Sequence, residues 1–361
     1  MTISNKFISW LLPAVIWLSA TTVFASSADT LSIYFAGDLM QHEAQINAAR
    51  QADGSYDYSK CFVHVKPEIR SANIAVGNLE VTLGGKPYRG YPTFSAPDEY
   101  LYAIRDAGFD ILMTANNHCM DRGSKGLVRT INMLDSLKLK RAGTYKNQPD
   151  RIHNYPLLIE KKGFKIAFLN ATYGTNGIPV SKPNIVNFLD RKQMKADILK
   201  ARLMKPDIII AFMHWGNEYE TTPSSSQIEL AEWLLDLGVD HIIGSHPHVV
   251  QPIELIGKSD APQKHLVVYS LGNYISNMSA RNTDGGMAVK LLFKRTNGIT
   301  RLLSYEHSLV WTSRPTLSGN SNFVLYPTTG VDRKLLNTNE TFRMNRYIND
   351  TENILKSSIN R

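Results

Sequence analysis

Asp38, Glu80, Asn117, His214, His246 and His248 stand out in this chain of 361 residues as a donor set for a divalent metal. They supply carboxylate, amide and imidazole groups and no thiolate. That set suits manganese, iron or zinc better than copper or an iron–sulfur cluster. The residues occur in short motifs, each following an apolar run. The motifs are FAGDLMQH with Asp38, VGNLEVT with Asn78 and Glu80, and TANNHCMDRG with Asn116, Asn117, His118 and Asp121. Further on come FMHWGNEYE with His214 and Glu218, IIGSHPHVVQPIE with His246, His248, Gln251 and Glu254, and YSLGNYI with Asn273. Taken singly, each has a bland reading. An Asp after Gly is often a turn former or helix cap. Asn116-Asn117 can be a turn, and a lone His214 can be a hydrogen-bonded core residue. The argument rests on the set, because ligand-capable groups recur at successive strand ends and would face one rim. A carboxylate such as Glu80 can bridge two ions about 3.5–4 Å apart, so one or two ions are expected. Such a centre binds a phosphoryl oxygen and activates water. His118 is placed to protonate a leaving group, and Asp121 to orient it.

The elements that must position these residues are legible as apolar runs and helical patterns. β-type runs cover Leu31–Ala36, Ile74–Gly77, Ile111–Ala115, Lys165–Leu169, Ile208–Met213, His241–Ile243 and Leu266–Tyr269. Several are continuously apolar, as expected for strands buried on both faces. Helical patterns lie near Asp98–Ala107, Lys125–Leu137, Arg191–Leu203 and Ser225–Leu237. Alternation of this kind predicts a layered α/β domain with ligands at the strand C-termini. Two hairpins are predicted. One spans Pro156–Leu169 and turns at Lys162-Gly163; the other spans Met287–Tyr305 and turns at Asn297-Gly298. After Arg314 the composition becomes polar, with a helix predicted near Val331–Leu355. The expected organisation is a signal segment at 1–25, a domain at 29–314 and a C-terminal extension of unclear role at 315–361.

The bulk composition is globular, with 43% hydrophobic and 20% charged residues. The formal charge of +8 is spread along the chain without a basic run, which argues against nucleic acid as a partner. A solvated basic surface accounts for it, and attraction of an anionic substrate or polymer is the alternative. Lys6, the apolar stretch Phe7–Phe24 and the small residues that follow read as an export signal, with cleavage after Ala25. An uncleaved anchor is the alternative. No cysteine follows that would carry a lipid. The protein is therefore expected in the periplasm or at the cell surface. Cys61 and Cys119 are expected as free thiols.

In order, GD, NLE, ANNH..D.G, HWG.EY, G.HPHV.Q and SLGN resemble the CapA family of bacterial capsule-synthesis proteins, which includes poly-γ-glutamate synthesis proteins. The resemblance spans about Leu31 to Ser276. It implies a four-layer α/β/β/α sandwich like that of the calcineurin-like metallophosphoesterases. It also implies one metal at Asp38, Glu80 and His248, a second at Glu80, Asn117, His214 and His246, and His118 as proton donor. The implied role is in making an anionic surface polymer, with membrane capsule-synthesis proteins as partners. Two alternatives stay open: a freestanding exported hydrolase of phosphate esters or amides, and a non-catalytic polymer-binding accessory protein. The sequence departs from the phosphoesterase pattern in three places. Met40 occupies the position of a histidine ligand, with His42 two residues on as the alternative donor; Glu80 replaces an Asp; and Cys119 replaces the acid after the catalytic His.

Overall fold

The computed structural model describes residues 29–257 and 264–357. The expected signal segment at 1–25 lies outside the described residues. Among those described, the first strands are β1 (Thr30–Leu39), β2 (Ile74–Leu79), β3 (Ile111–Met113), β4 (Lys140–Ala142), β5 (Thr144–Tyr145), β6 (Leu157–Lys161), β7 (Phe164–Thr172) and β8 (Ile185–Val186). They continue as β9 (Ile208–His214), β10 (His241–Ser245), β11 (Ile253–Ile256), β12 (His265–Val268), β13 (Asn273–Ile275), β14 (Gly285–Thr296), β15 (Ile299–Ser313) and β16 (Val324–Pro327). One sheet has the order β16-β15-β14-β1-β2-β3-β4, with β13 beside β1. A second has the order β11-β12-β10-β9-β7-β6, and β5 and β8 form a small two-stranded sheet. The strands that lead into the candidate site run parallel: β1 with β2, β2 with β3, and β10 with β9. Parallel strands place their C-terminal ends along one edge, where ligands of α/β folds bind.

Alternation along β1 shows how the layers stack. Leu31, Ile33 and Phe35 face the second sheet and share its core. The Phe35 ring centroid lies 6.5 Å from those of Phe168 on β7 and Phe212 on β9. Tyr34 and Ala36 point the other way, into a cluster with Tyr100, Leu101 and Ile104 of the helix Asp98–Ala107. On the far face of the second sheet, Leu169 and Met213 meet Met194, Ile198 and Leu234 of the helices Arg191–Leu203 and Ser225–Asp236. The order is helix, sheet, sheet, helix. Strands buried on both faces need apolar side chains at consecutive positions, which is why the sequence runs read as continuous rather than alternating.

Both predicted hairpins form. Lys162-Gly163 and Asn297-Gly298 have positive φ at both positions, as the tight two-residue turn requires. The residues after Arg314 supply two elements. β16 pairs with β15 at the sheet edge, and the helix Thr338–Ser357 buries Met344, Tyr347 and Leu355 in the main core. Cys61 and Cys119 are buried free thiols, and burial pushes each up to about 12.

One irregularity of β1 has a large effect on the site. Its pairing with β2 slips between Ala36 and Asp38, so that Ala36 opposes Gly77 while Asp38 opposes Asn78. Gly37 is the extra residue of this bulge. Without it, Asp38 would share the face of Tyr34 and Ala36, toward the helices. With it, Asp38 turns to the face between the sheets. A Cβ on Gly37 would stand 2.0 Å from the Gly272 carbonyl oxygen, which accepts the Asp38 N–H at 3.0 Å. Only glycine fits there.

Phe35→Ala would remove a fully buried ring from the seam between the sheets. The expected loss of stability is about 3–5 kcal/mol, read by urea unfolding. A loss below about 1 kcal/mol would show that the seam does not hold the sheets together.

Candidate metal centre

The second sheet contributes three imidazoles. β9 ends in His214, and β10 ends in Ser245 directly beside it. The chain then turns through His246 and His248, with φ of 100° and 59° on either side of Pro247. For residues other than glycine these conformations cost about 1–3 kcal/mol each, and they persist only where surroundings enforce them. Here the Tyr219 N–H holds the Pro247 carbonyl at 2.8 Å. The result packs the His246 ring 4.8 Å from that of His214 and 5.9 Å from that of His248.

The first sheet contributes the oxygens. Asn78 lies at the centre of this side and donates through Nδ2 to Asp38 Oδ1 at 2.8 Å and Glu80 Oε2 at 3.4 Å. Asn116 is anchored by donating to the Leu79 carbonyl at 2.8 Å and to Asn78 Oδ1 at 3.2 Å. That anchoring presents Asn117, whose Oδ1 lies 2.8 Å from His214 Nε2. Glu80 Oε1 lies 3.6 Å from His214 Nε2 and 3.9 Å from His248 Nε2. Asp38 Oδ2 lies 3.3 Å from His248 Nδ1.

Two triads have ligand atoms within 4.8 Å of one another: Glu80–His246–His248 and Asp38–Glu80–His214. Glu80 belongs to both. Asp38 Oδ2 also lies beside His248 Nδ1, and the His246 ring lies beside that of His214. Asp38 Oδ2, Glu80 Oε1 and His246 Nδ1 are buried and have no hydrogen-bond partner. A buried polar atom without a partner is costly, and three such atoms on residues of two triads that share Glu80 fit a cation there.

The charges agree with that fit. Burial, then the neighbouring Asp38, pushes the Glu80 carboxyl well above its ordinary range. Burial, then His246 and His248, holds His214 far below the ordinary histidine range. His246 is pulled down to about 3, again by burial first and by His248 second. Neutral imidazoles are the form that ligates a metal. Two adjacent buried carboxylates need a countercharge that no nearby lysine or arginine supplies within ion-pair distance among the described residues.

His118 and Asp121 form a dyad at the side of this cluster, with His118 Nδ1 2.8 Å from Asp121 Oδ2. The Phe94 N–H donates to the same carboxylate oxygen at 2.7 Å, and the Phe94 ring packs 4.6 Å from the imidazole. Met40 is buried in the apolar cluster of the helix layer and offers no ligand to the centre. His42 stands outside both triads. Its Nδ1 accepts the Asn277 N–H at 3.3 Å, and burial lowers it to about 4.

Other sequence candidates take supporting places. Asn273 contacts His248, Gln251 bonds Gln227, and Glu254 accepts from the Tyr269 hydroxyl. Glu218 is exposed. Sequence reasoning missed the tyrosines around the centre. Tyr173 packs 4.5 Å from His246, Tyr219 6.3 Å from His248 and Tyr91 6.5 Å from His118. It also missed Ser245 against His214 and Asn176 against Asn117. The only available signal was adjacency to the motifs.

The layers and the cluster define an α/β protein with a buried acid–imidazole site able to hold a divalent cation. Residues 32–278 match the family described as bacterial capsule synthesis protein PGA_cap, and the chain belongs to that family. It is similar to the capsule biosynthesis protein CapA of Bacillus anthracis, with 28% identity over 79% of this chain and 72% of the relative. It is also similar to the PGA biosynthesis protein CapA of Bacillus subtilis (strain 168), with 26% identity over 82% of this chain and 79% of the relative. Among solved structures it is similar to the NAD nucleotidase NadN of Haemophilus influenzae, with a TM-score of 0.49 and 15% identity over 90% of this chain and 68% of that one. The calcineurin-like phosphoesterase YfkN of Bacillus subtilis gives a TM-score of 0.46 and 12% identity over 91% of this chain and 99% of that one.

Burial also depresses His241 to about 3, outside the cluster, where its Nδ1 accepts the Leu266 N–H at 3.1 Å. Its folded value lies below its unfolded value, so the unfolded chain takes up the proton first as pH falls below about 6.5. Stability is lost in that direction. The advantage of wild type over His241→Asn should therefore shrink by up to about 2 kcal/mol between pH 7 and pH 5, in urea unfolding with chelator present. A pH-independent difference would show that His241 titrates normally.

Proposed function

We propose that the protein acts in the biosynthesis of an anionic capsule polymer, poly-γ-glutamate or a close relative. It does so through a divalent-metal centre held by Asp38, Glu80, Asn117, His214, His246 and His248. The observation that carries the metal reading is the pair of buried triads that share Glu80, in which Asp38 Oδ2, Glu80 Oε1 and His246 Nδ1 have no hydrogen-bond partner. Family membership and the CapA relatives support the polymer reading. The donor set suits manganese, iron or zinc, one ion or two.

A bound cation of this kind supplies Lewis acidity and lowers the pKa of a coordinated water. The chain's own groups do the rest. Glu80 spans both triads and can serve two ions. Asn78 donates to Asp38 and thereby orients its carboxylate. His118 can deliver a proton to a leaving group while Asp121 holds its Nδ1 side. Phe94 and Tyr91 screen that imidazole. The substrate class is a phosphorylated or amide-linked unit of the polymer. The N-terminal segment exports the protein to the periplasm or cell surface, where membrane capsule-synthesis proteins are its partners.

Protein purified without chelator should carry manganese, iron or zinc by elemental analysis. Returning the metal to stripped protein at about 100 times its Kd should stabilise the fold by about 2.7 kcal/mol. Glu80→Gln should weaken that binding and yet stabilise the metal-free protein, because it removes the cost of protonating or burying a carboxylate beside Asp38. Wild type with neither bound metal nor metal-induced stabilisation would overturn the centre. For localisation, fractionated cells should place the protein outside the cytoplasm. Deletion of residues 1–25 should leave it inside. Cytoplasmic wild-type protein would overturn export.

A further inference from the structure

Asn273 was singled out by its motif, and the metal reading gives it no part. β13 pairs in parallel with β1, which sets Asn273 directly beside Asp38. The side chain is buried. Its Nδ2 donates to the Thr283 carbonyl at 2.9 Å and lies 3.4 Å from Met278 Sδ. A carbonyl oxygen only accepts, so this contact decides which end of the amide is nitrogen. The other end, Oδ1, then lies 3.0 Å from His248 Nδ1. An amide oxygen also only accepts, so the proton of the neutral imidazole sits on Nδ1. Asp38 Oδ2 lies 3.3 Å from the same nitrogen, and its negative charge favours an N–H there over a lone pair. The lone pair is left on Nε2, which faces Glu80 Oε1 at 3.9 Å.

We infer that Asn273 is a positioning residue of the centre, fixing the tautomer and ring orientation of His248 so that its Nε2 lone pair enters the space shared with Glu80 and His246. The inference rests on the metal-centre reading above. Second partners of ligating histidines commonly govern metal affinity in this way.

Asn273 is itself held by residues beyond the family match, which ends at 278. Arg314 is nearly fully buried, and its Nη2 donates to the Met278 carbonyl at 2.7 Å. Trp311 Nε1 donates to Asp284 Oδ2 at 3.1 Å. Both contacts pin the loop at 276–284 whose Thr283 carbonyl orients the Asn273 amide. This gives the long C-terminal hairpin a part in holding His248.

The test is Mn(II) titration of stripped protein by electron paramagnetic resonance, comparing wild type, Asn273→Leu and Asn273→Asp. Both variants lose the amide donor to Thr283, and urea unfolding of each reads any structural defect separately. Only Asp keeps an acceptor for His248 Nδ1. The expected result is affinity about 10–100-fold weaker in Asn273→Leu and restored to within a few fold in Asn273→Asp. Nitrogen-15 spectra of metal-free wild type should show the Nδ1–H form of His248. Equal affinity in wild type and Asn273→Leu, or an Nε2–H form in wild type, would overturn the positioning role and leave the metal centre standing. Wild type that binds no Mn(II), zinc or iron would overturn the metal centre itself, and this inference with it.

Discussion

Two carboxylates, Asp38 and Glu80, are buried side by side in the seam between two sheets, and much of the site is arranged around that fact. Buried like charges repel, and each also loses its hydration. Protonation relieves the strain in part, which is the meaning of the raised Glu80 carboxyl. A divalent cation between them would relieve it further. The imidazoles across the seam are prepared for that outcome, since burial keeps His214 and His246 in the neutral form that can ligate a metal. The amides of Asn78, Asn116, Asn117 and Asn273 orient these groups without adding charge.

The fold tolerates such a cluster because its layers are otherwise well packed. Phe35, Phe168 and Phe212 close the seam along β1, β7 and β9. The site occupies the end of the same seam, where parallel strands terminate and backbone groups turn outward. Strain is concentrated there as well. The positive φ angles of His246 and His248 are local costs that the surrounding structure sustains. The His118–Asp121 dyad lies beside the cluster and takes no place in either triad.

Much of this was legible in the residue order. Continuously apolar runs marked the buried parallel strands, and the Lys162-Gly163 and Asn297-Gly298 pairs marked the hairpins, because both signals depend on local backbone preference and burial. The motif order indicated the family. Strand ends carrying Asp38, Glu80, Asn117, His214, His246 and His248 pointed to one rim, because parallel topology places those ends together. The short helices Glu43–Ala49, Lys66–Ser71 and Gln148–Asn154 escaped notice because so few turns carry little periodicity.

Tertiary structure alone decided the rest. Nothing local in FAGDLMQH shows that Gly37 is an inserted bulge residue; that depends on its pairing with β2 and on the Gly272 carbonyl pressed against it. The grouping of histidines around Glu80, the retreat of Met40 into the helix-layer core and the tether from Arg314 to the loop behind Asn273 all join residues far apart in the chain. The residue types, and the rim they would share, follow from strand periodicity and motif order, which are local and repeat along the chain. Which atom faces which is settled only when two sheets close on each other, because side-chain direction at a strand end depends on register and bulges that the packed layers impose.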